Sequence, residues 1–350
     1  ITEQIFHKSP NKSSTNHRTN LPQITENCKK VLVVRNIYIN FAPKNYDNMA
    51  EYKKRISDRI LKRKVQGKGA VLIEGPKWCG KTTTAKQLAN SVLDLGNSTV
   101  LMQSRQMIEI SHKVLLDGDT PRLIDEWQAL PPIWDSIRSE VDSRGEPSQF
   151  ILTGSSVLPE ANTLIHSGTG RFGHIRMRPM SLFESGESSG EVSLLDLFEN
   201  RPLELQRNNL DVNDIAFLTC RGGWPWATLI SKELALDQAF DYVDSVVNSD
   251  ILRVDKVRRS PERTKLLLRS YARNISQQIS YATIRKDMLA NDASTLDEDT
   301  VADYIKALKK LFVIEDLVAW NPNIRSKSAI RTSDTRHFVD PSIGTAALGL

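Results

Sequence analysis

Residues 75–82 read Gly-Pro-Lys-Trp-Cys-Gly-Lys-Thr and fit the pattern G-x-x-x-x-G-K-[ST]. That pattern suits phosphate, because the glycines let the backbone curl until successive N–H groups converge on one anion. Lys81 has the reach for β- and γ-phosphates, and Thr82 offers a hydroxyl to Mg²⁺. Gly75, Pro76, Lys77, Trp78, Cys79, Gly80 and Thr83 complete the expected cradle. Further on, Asp125-Glu126 ends a hydrophobic run. There Asp125 suits the Mg²⁺ shell, and Glu126 is placed to polarise a water for attack on the γ-phosphate. Thr153 and Ser155 close the next apolar run and either hold that water or start a turn. Arg171 follows the Gly-rich HSGTG and is either a phosphate finger, for a neighbouring subunit's nucleotide included, or a surface arginine. Cys79 is either a redox-sensitive thiol activated by Lys81 or a small residue filling the loop.

These residues need elements to hold them. AVLIE (70–74) predicts a buried strand before the loop, and a helix is expected at about 81–93. STVLMQ (98–103), RLIDE (122–126), QFILTGS (149–155) and HIRMRPM (174–180) are further strand candidates, with IWDSIRSEVDSRG (133–145) the clearest intervening helix. Strand alternating with helix predicts a parallel sheet covered on both faces, with strand C-termini and phosphate loop on one edge. Before it, residues 49–64 place Met49, Tyr52, Ile56, Ile60 and Leu61 at helical spacing. After about residue 195 the strands stop, and 212–272 reads as helical apart from the turn at Arg221-Gly222-Gly223. Three helices (264–275, 282–290, 298–311) and two strands (312–320, 335–340) then make a winged-helix pattern.

The 350 residues are 39% hydrophobic and 25% charged, ordinary for a soluble globular protein of two domains. No apolar run is long enough to span a bilayer, and three scattered cysteines lack metal-ligand spacing, so no membrane association and a cytoplasmic location are expected. The net charge of +5 is uneven: residues 1–50 hold 7 basic and 3 acidic side chains, 51–250 hold 23 and 27, and 251–350 hold 17 and 12. Basic ends suit nucleic acid, or are scattered solvated side chains. The polar stretch 8–20 and strand-like 31–40 form a tail, residues 1–40.

The stretches AVLIEGPKWCGKTTTAKQLANS, PRLIDEWQALPPIWDSIRSEVDSRGEPSQFILTGSS, HSGTGRFGHIRMRPMSLFESGESSGEVSL, CRGGWPWA, LLRSYARNISQQ and LFVIEDLVAWNPNIRSKSAIRTSDTRHFVDPSIG resemble the bacterial and archaeal AAA+-type P-loop ATPases with an uncharacterised conserved C-terminal domain. The resemblance runs from about residue 41 to the end. It implies an α/β fold of the additional-strand type, with a P-loop core (41–195), a helical lid-like segment (196–262) and a winged-helix-like domain (263–350). It makes ATP the expected nucleotide, with Mg²⁺, and carries roles onto Lys81, Thr82, Asp125 and Glu126. Thr153, Arg171 and Arg221 become candidates for sensor or finger roles.

The chain departs from the family twice. Members continue into a nuclease-like fold whose motifs are absent here, and a sequence starting on Ile rather than Met is expected to be a piece of a longer protein. The family's Pro-Arg segment appears as APKNYDN (42–48), which leaves the adenine side unassigned. The expected activity is ATP hydrolysis coupled to the C-terminal region. The alternative is a nucleotide-gated DNA- or protein-binding module with little turnover. For DNA, Asp297, Glu298 and Asp299 stand where phosphates would approach, and Lys306, Lys309, Lys310, Arg325, Lys327 and Arg331 compensate later. For a homo-oligomer or a protein partner, Trp224, Trp226 and Trp320 either offer aromatic surface or pack the core.

Overall fold

The computed structural model describes residues 52–155, 168–202, 209–255, 257–290, 296–319 and 333–350. All of them lie in one unit, Met49–Leu350. The expected tail (1–40), APKNYDN, Trp320, Arg325, Lys327 and Arg331 fall outside the described residues.

Helix α1 (Ile56–Gly67) buries Leu61 and Val65, while Ile56 and Ile60 face solvent. It leads into β1 (Ala70–Glu74), whose Val71, Leu72 and Ile73 are completely buried, as expected for a strand covered on both faces. The loop then opens helix α2, which runs only Lys81–Lys86. The helix expected to residue 93 gives way to a second strand, β2 (Ser91–Asp94). Leu88, Val92 and Leu95 sit at helical spacing, but Leu93 and Leu95 are buried while Val92 and Asp94 are exposed. That is the two-residue alternation of an edge strand. The strand expected at 98–103 is instead the start of α3 (Ser98–Ile110). There the Asn97 side chain accepts from the Thr99 and Val100 amides at 3.0 and 3.3 Å, and this cap overrides the β-branched pair.

After α4 (His112–Leu116) come β3 (Arg122–Asp125), α5 (Ile133–Arg144), β4 (Phe150–Gly154) and β5 (Phe172–Arg176). The last begins two residues earlier than expected, because Ala70 pairs with Phe172. The five strands are all parallel in the order β2-β3-β4-β1-β5. Their C-terminal ends share one edge, where β1 runs into the loop and β3 delivers Asp125.

Short helices α6 (Leu182–Ser185) and α7 (Leu194–Phe198) lead into a helical C-terminal region. It holds α8 (Val212–Arg221), α9 (Lys232–Ser245), a π-helical turn (Val246–Asp250), α10 (Pro261–Arg273), α11 (Tyr281–Leu289), α12 (Glu298–Lys310) and α13 (Pro341–Leu348). One apolar core joins Trp224 through Ala346. Between α12 and α13 the expected strands are reduced, among the described residues, to single antiparallel bridges: Ile314 with Phe338 and Leu317 with Thr335.

Candidate nucleotide site

The loop is shaped by what its glycines allow. A Cβ on Gly75 would lie 2.1 Å from the Met177 carbonyl oxygen, inside any tolerable contact, so the loop leaves β1 pressed against the chain that follows β5. Gly80 takes φ +97°, the left-handed region that glycine enters freely. Trp78 takes φ 65° without that freedom and leaves its ring half exposed. Lys81 is buried, and its ammonium donates to the Gly75 and Pro76 carbonyls at 3.0 and 2.7 Å. Its charge thus sits inside the curl of the loop. Thr83 is exposed, and its carbonyl accepts from the Gln87 amide at 3.2 Å.

Thr82 Oγ1 donates to Asp125 Oδ1 at 2.8 Å, and the fully buried Thr153 hydroxyl donates to the same oxygen. The structure therefore brings Thr82, Asp125 and Thr153 together, from α2, β3 and β4. Glu126 follows with φ 54°, in the left-handed region. One of its carboxylate oxygens accepts from the Gln128 amide and from Ser155 Oγ, the latter at 3.3 Å. Trp127 Nε1 and Gln128 Oε1, both buried beside Gly154, have no hydrogen-bond partner among the described residues.

The oxygen set of Thr82 and Asp125 fits a hard cation. Mg²⁺ takes only one or two protein oxygens and keeps waters and phosphate for the rest. A larger cluster is not required, and no group of three His, Cys, Asp or Glu occurs among the described residues.

Cys79 is completely buried in the core beneath the loop, beside Met177. Burial pushes its thiol up, and the nearby Lys81 and Arg55 charges only partly offset this. The buried thiol fills the core beneath the loop.

Of the two candidate arginines, one lies away from the loop of its own chain. Arg171 precedes β5, and its carbonyl accepts from Ala70 N at 3.3 Å, at the start of β1. It therefore stands at the opposite end of a five-residue strand, about 15 Å of rise from the loop. There it pairs with Asp142 at 2.6 Å, and its hydrogen bond holds that carboxyl below the usual range. Arg221 is buried, with its guanidinium on Glu187 at 2.6 Å and on the Gly222 carbonyl.

Several contacts near the loop carry no sequence signal. Arg55 donates to the Cys79 and Arg178 carbonyls at 2.8 and 2.7 Å and pairs with Glu184, stitching α1 to the loop and to α6. Lys77 pairs with Asp250 at 2.5 Å, and Trp78 meets the Tyr242 ring edge-on at 5.9 Å. Arg176 and Arg178 stand at the loop end of the sheet and grip Glu315, Arg178 with two hydrogen bonds of 2.6 and 2.5 Å.

Comparison with known proteins accords with this geometry. Residues 67–185 match the AAA domain family, and residues 212–350 match a domain of unknown function, DUF8612. No curated protein matches the chain. A Walker-type ATPase of Pyrococcus abyssi has a similar structure, with TM-score 0.52, 15% identity, and coverage of 85% of this chain and 96% of that one. A DNA replication initiation factor (TM-score 0.27, 16% identity, 75% and 90% covered) and a RuvB variant of Thermotoga maritima (0.29, 16%, 78% and 90%) are too distant in shape to carry an argument. Residues 67–185 form an AAA-like P-loop ATPase fold, and a helical region follows it.

Proposed function

We propose that the chain is a Mg²⁺-dependent ATPase that hydrolyses ATP to ADP and phosphate and couples nucleotide state to its C-terminal region. The observation that carries this reading is the shared contact of Thr82 and Thr153 on Asp125, next to a loop with the Lys81 ammonium at its centre. Lys81 would hold the β- and γ-phosphates, and Thr82 with Asp125 would hold Mg²⁺, which supplies charge neutralisation on the phosphate oxygens. Gly75 to Gly80, with Thr83, would form the backbone cradle. Glu126 would orient and deprotonate the attacking water, and Thr153, held on Asp125, would act as a sensor. Arg171, remote from its own loop, acts as a finger only on a neighbouring copy's nucleotide, and Arg221 acts as a sensor only by leaving Glu187. The supporting division is a core at 41–195, a lid-like segment at 196–262 and a winged-helix-like part at 263–350, the last two on a common apolar core. A cytoplasmic location accords with this, and among the described residues no helix is long and apolar enough to cross a membrane.

Glu126→Gln should keep ATP binding and lose at least ~10²-fold in turnover, the scale of a lost general base. Lys81→Ala should lose binding itself. Equal phosphate release by wild type and Glu126→Gln sinks the assignment.

A second reading, a nucleotide-gated binding module with little turnover, is favoured by one observation. The Glu126 carboxylate already accepts from Gln128 and Ser155. As for its partner, Lys309 pairs with Asp316 at 2.8 Å and Lys310 approaches Asp255 at 4.0 Å, so two of the three lysines of α12 face their own domain, which favours protein over DNA. Trp224 is buried, but Trp226 is 62% exposed and available to such a partner or a second copy. Duplex DNA binding that weakens steeply with salt would reverse that preference.

A further inference from the structure

The tip of the phosphate loop is held by the C-terminal region. Lys77 Nζ lies 2.5 Å from Asp250 Oδ1, and Trp78 packs edge-on against Tyr242 of α9. The two partners differ in exposure: the Lys77 side chain is 43% exposed and that of Asp250 only 7%. Among the described residues, no other side chain pairs with the Asp250 carboxylate. Asp250 ends the π-helical turn Val246–Asp250, whose Val246 and Val247 belong to the large helical core. A single π turn within a helical run is rare and frequently marks a functional site.

Lys77 is also close to where phosphate would sit. It follows Pro76, whose carbonyl holds the Lys81 ammonium at 2.7 Å. A flexible lysine one residue from that carbonyl can swing its own ammonium towards the same anion. A triphosphate and the Asp250 carboxylate therefore want the same cation.

We propose that Asp250 is a positioning residue of the nucleotide site. It competes with the triphosphate for Lys77, so that nucleotide binding releases the Val246–Asp250 turn. The proposal rests on the nucleotide reading of the loop and adds the route by which the C-terminal region senses occupancy. Once Lys77 turns to phosphate, a buried carboxylate is left without its counter-charge, and burial of an unpaired charge is strongly unfavourable. The turn must then open towards water. Coupling follows from charge alone, because the ligand binds the two arrangements of Lys77 with different affinity.

The test is calorimetric binding of a non-hydrolysable ATP analogue to wild type, Lys81→Ala, Asp250→Asn and the double variant Lys77→Met/Asp250→Asn. Asp250→Asn should tighten binding by roughly tenfold, the scale of one charge-assisted contact regained. The double variant should lose that gain. A purely structural role for Asp250 predicts the opposite sign, weaker binding, and weaker or unchanged binding in Asp250→Asn overturns the proposal. In the wild-type protein, amide hydrogen exchange across 246–253 should quicken when the analogue is added. Unchanged exchange on a protein that binds the analogue also overturns it, independently of whether Asp250→Asn folds. Absence of binding by wild type overturns the nucleotide reading, and this proposal with it. Binding that is lost in Lys81→Ala keeps the reading standing, so the Asp250 arms then judge the proposal alone.

Discussion

Gly75 shows how much of the site is set by a missing side chain. Its α-carbon faces the Met177 carbonyl so closely that a methyl group would lie 2.1 Å from the oxygen. Backbone cannot swing aside as a flexible side chain can. Gly75→Ala should therefore destabilise the core by roughly 1–3 kcal/mol, as overpacking does, and displace the loop. Urea denaturation, followed by nucleotide binding at a temperature where the variant is folded, would check both effects. A variant as stable and as tightly binding as wild type would show that the loop leaves β1 differently. Much at this scale was legible beforehand. The motif's fixed spacing named Lys81 and Thr82, and the acidic end of an apolar run named Asp125. Arg55, Gln128 and Asp250 were not legible. Arg55 meets Glu184, and Asp250 meets Lys77, across more than a hundred residues of chain, and no local pattern records such a meeting.

At the scale of elements, the strands at 70–74, 122–125 and 150–154 agree with the apolar runs that predicted them. The segment 87–103 does not follow prediction, for an identifiable reason. Leu88, Val92 and Leu95 fit a helix by spacing, and Thr99 and Val100 fit a strand by propensity, so both local signals favoured the wrong element. Tertiary pairing with β3 decided the first, and the Asn97 cap decided the second. The cap can be tested directly. Asn97→Ala should cost ~1 kcal/mol, visible in chemical denaturation, and Asn97→Asp should restore most of it. No loss in Asn97→Ala would mean that packing, not the cap, starts α3.

For the whole molecule, the fork of Arg178 on Glu315, with Arg176 beside it, joins the end of β5 to the region after α12. Burial pushes the Glu315 carboxyl up, but the Arg178 hydrogen bonds and the two arginine charges outweigh it and leave the group below its usual range. A carboxyl lowered by folding stabilises the protein above its unfolded-state pKa, and that contribution is lost as pH falls through the folded value. Acidification should thus loosen this join. Glu315→Gln should lower neutral-pH stability by about 1 kcal/mol, since the arginines are half exposed, and remove that part of the acid dependence. Thermal melts from neutral to acidic pH would show it, and parallel curves for the two proteins would rule the fork out. The join was invisible in the sequence, although the two runs it connects were each identified.

The strand order also has a temporal side. β1 lies between β4 and β5, so neither neighbour of the strand that carries the loop exists until residues 150–154 and 172–176 have been made. During synthesis the loop sequence leaves the ribosome early, and its scaffold arrives late. Contacts this distant in sequence form slowly, because the intervening chain must close first. In that interval Ala70–Ile73 is an apolar strand with two open edges, the kind of segment that pairs wrongly. A chain cut short before β5 should therefore be more prone to aggregate than one cut after it, even though both contain every residue of the phosphate loop.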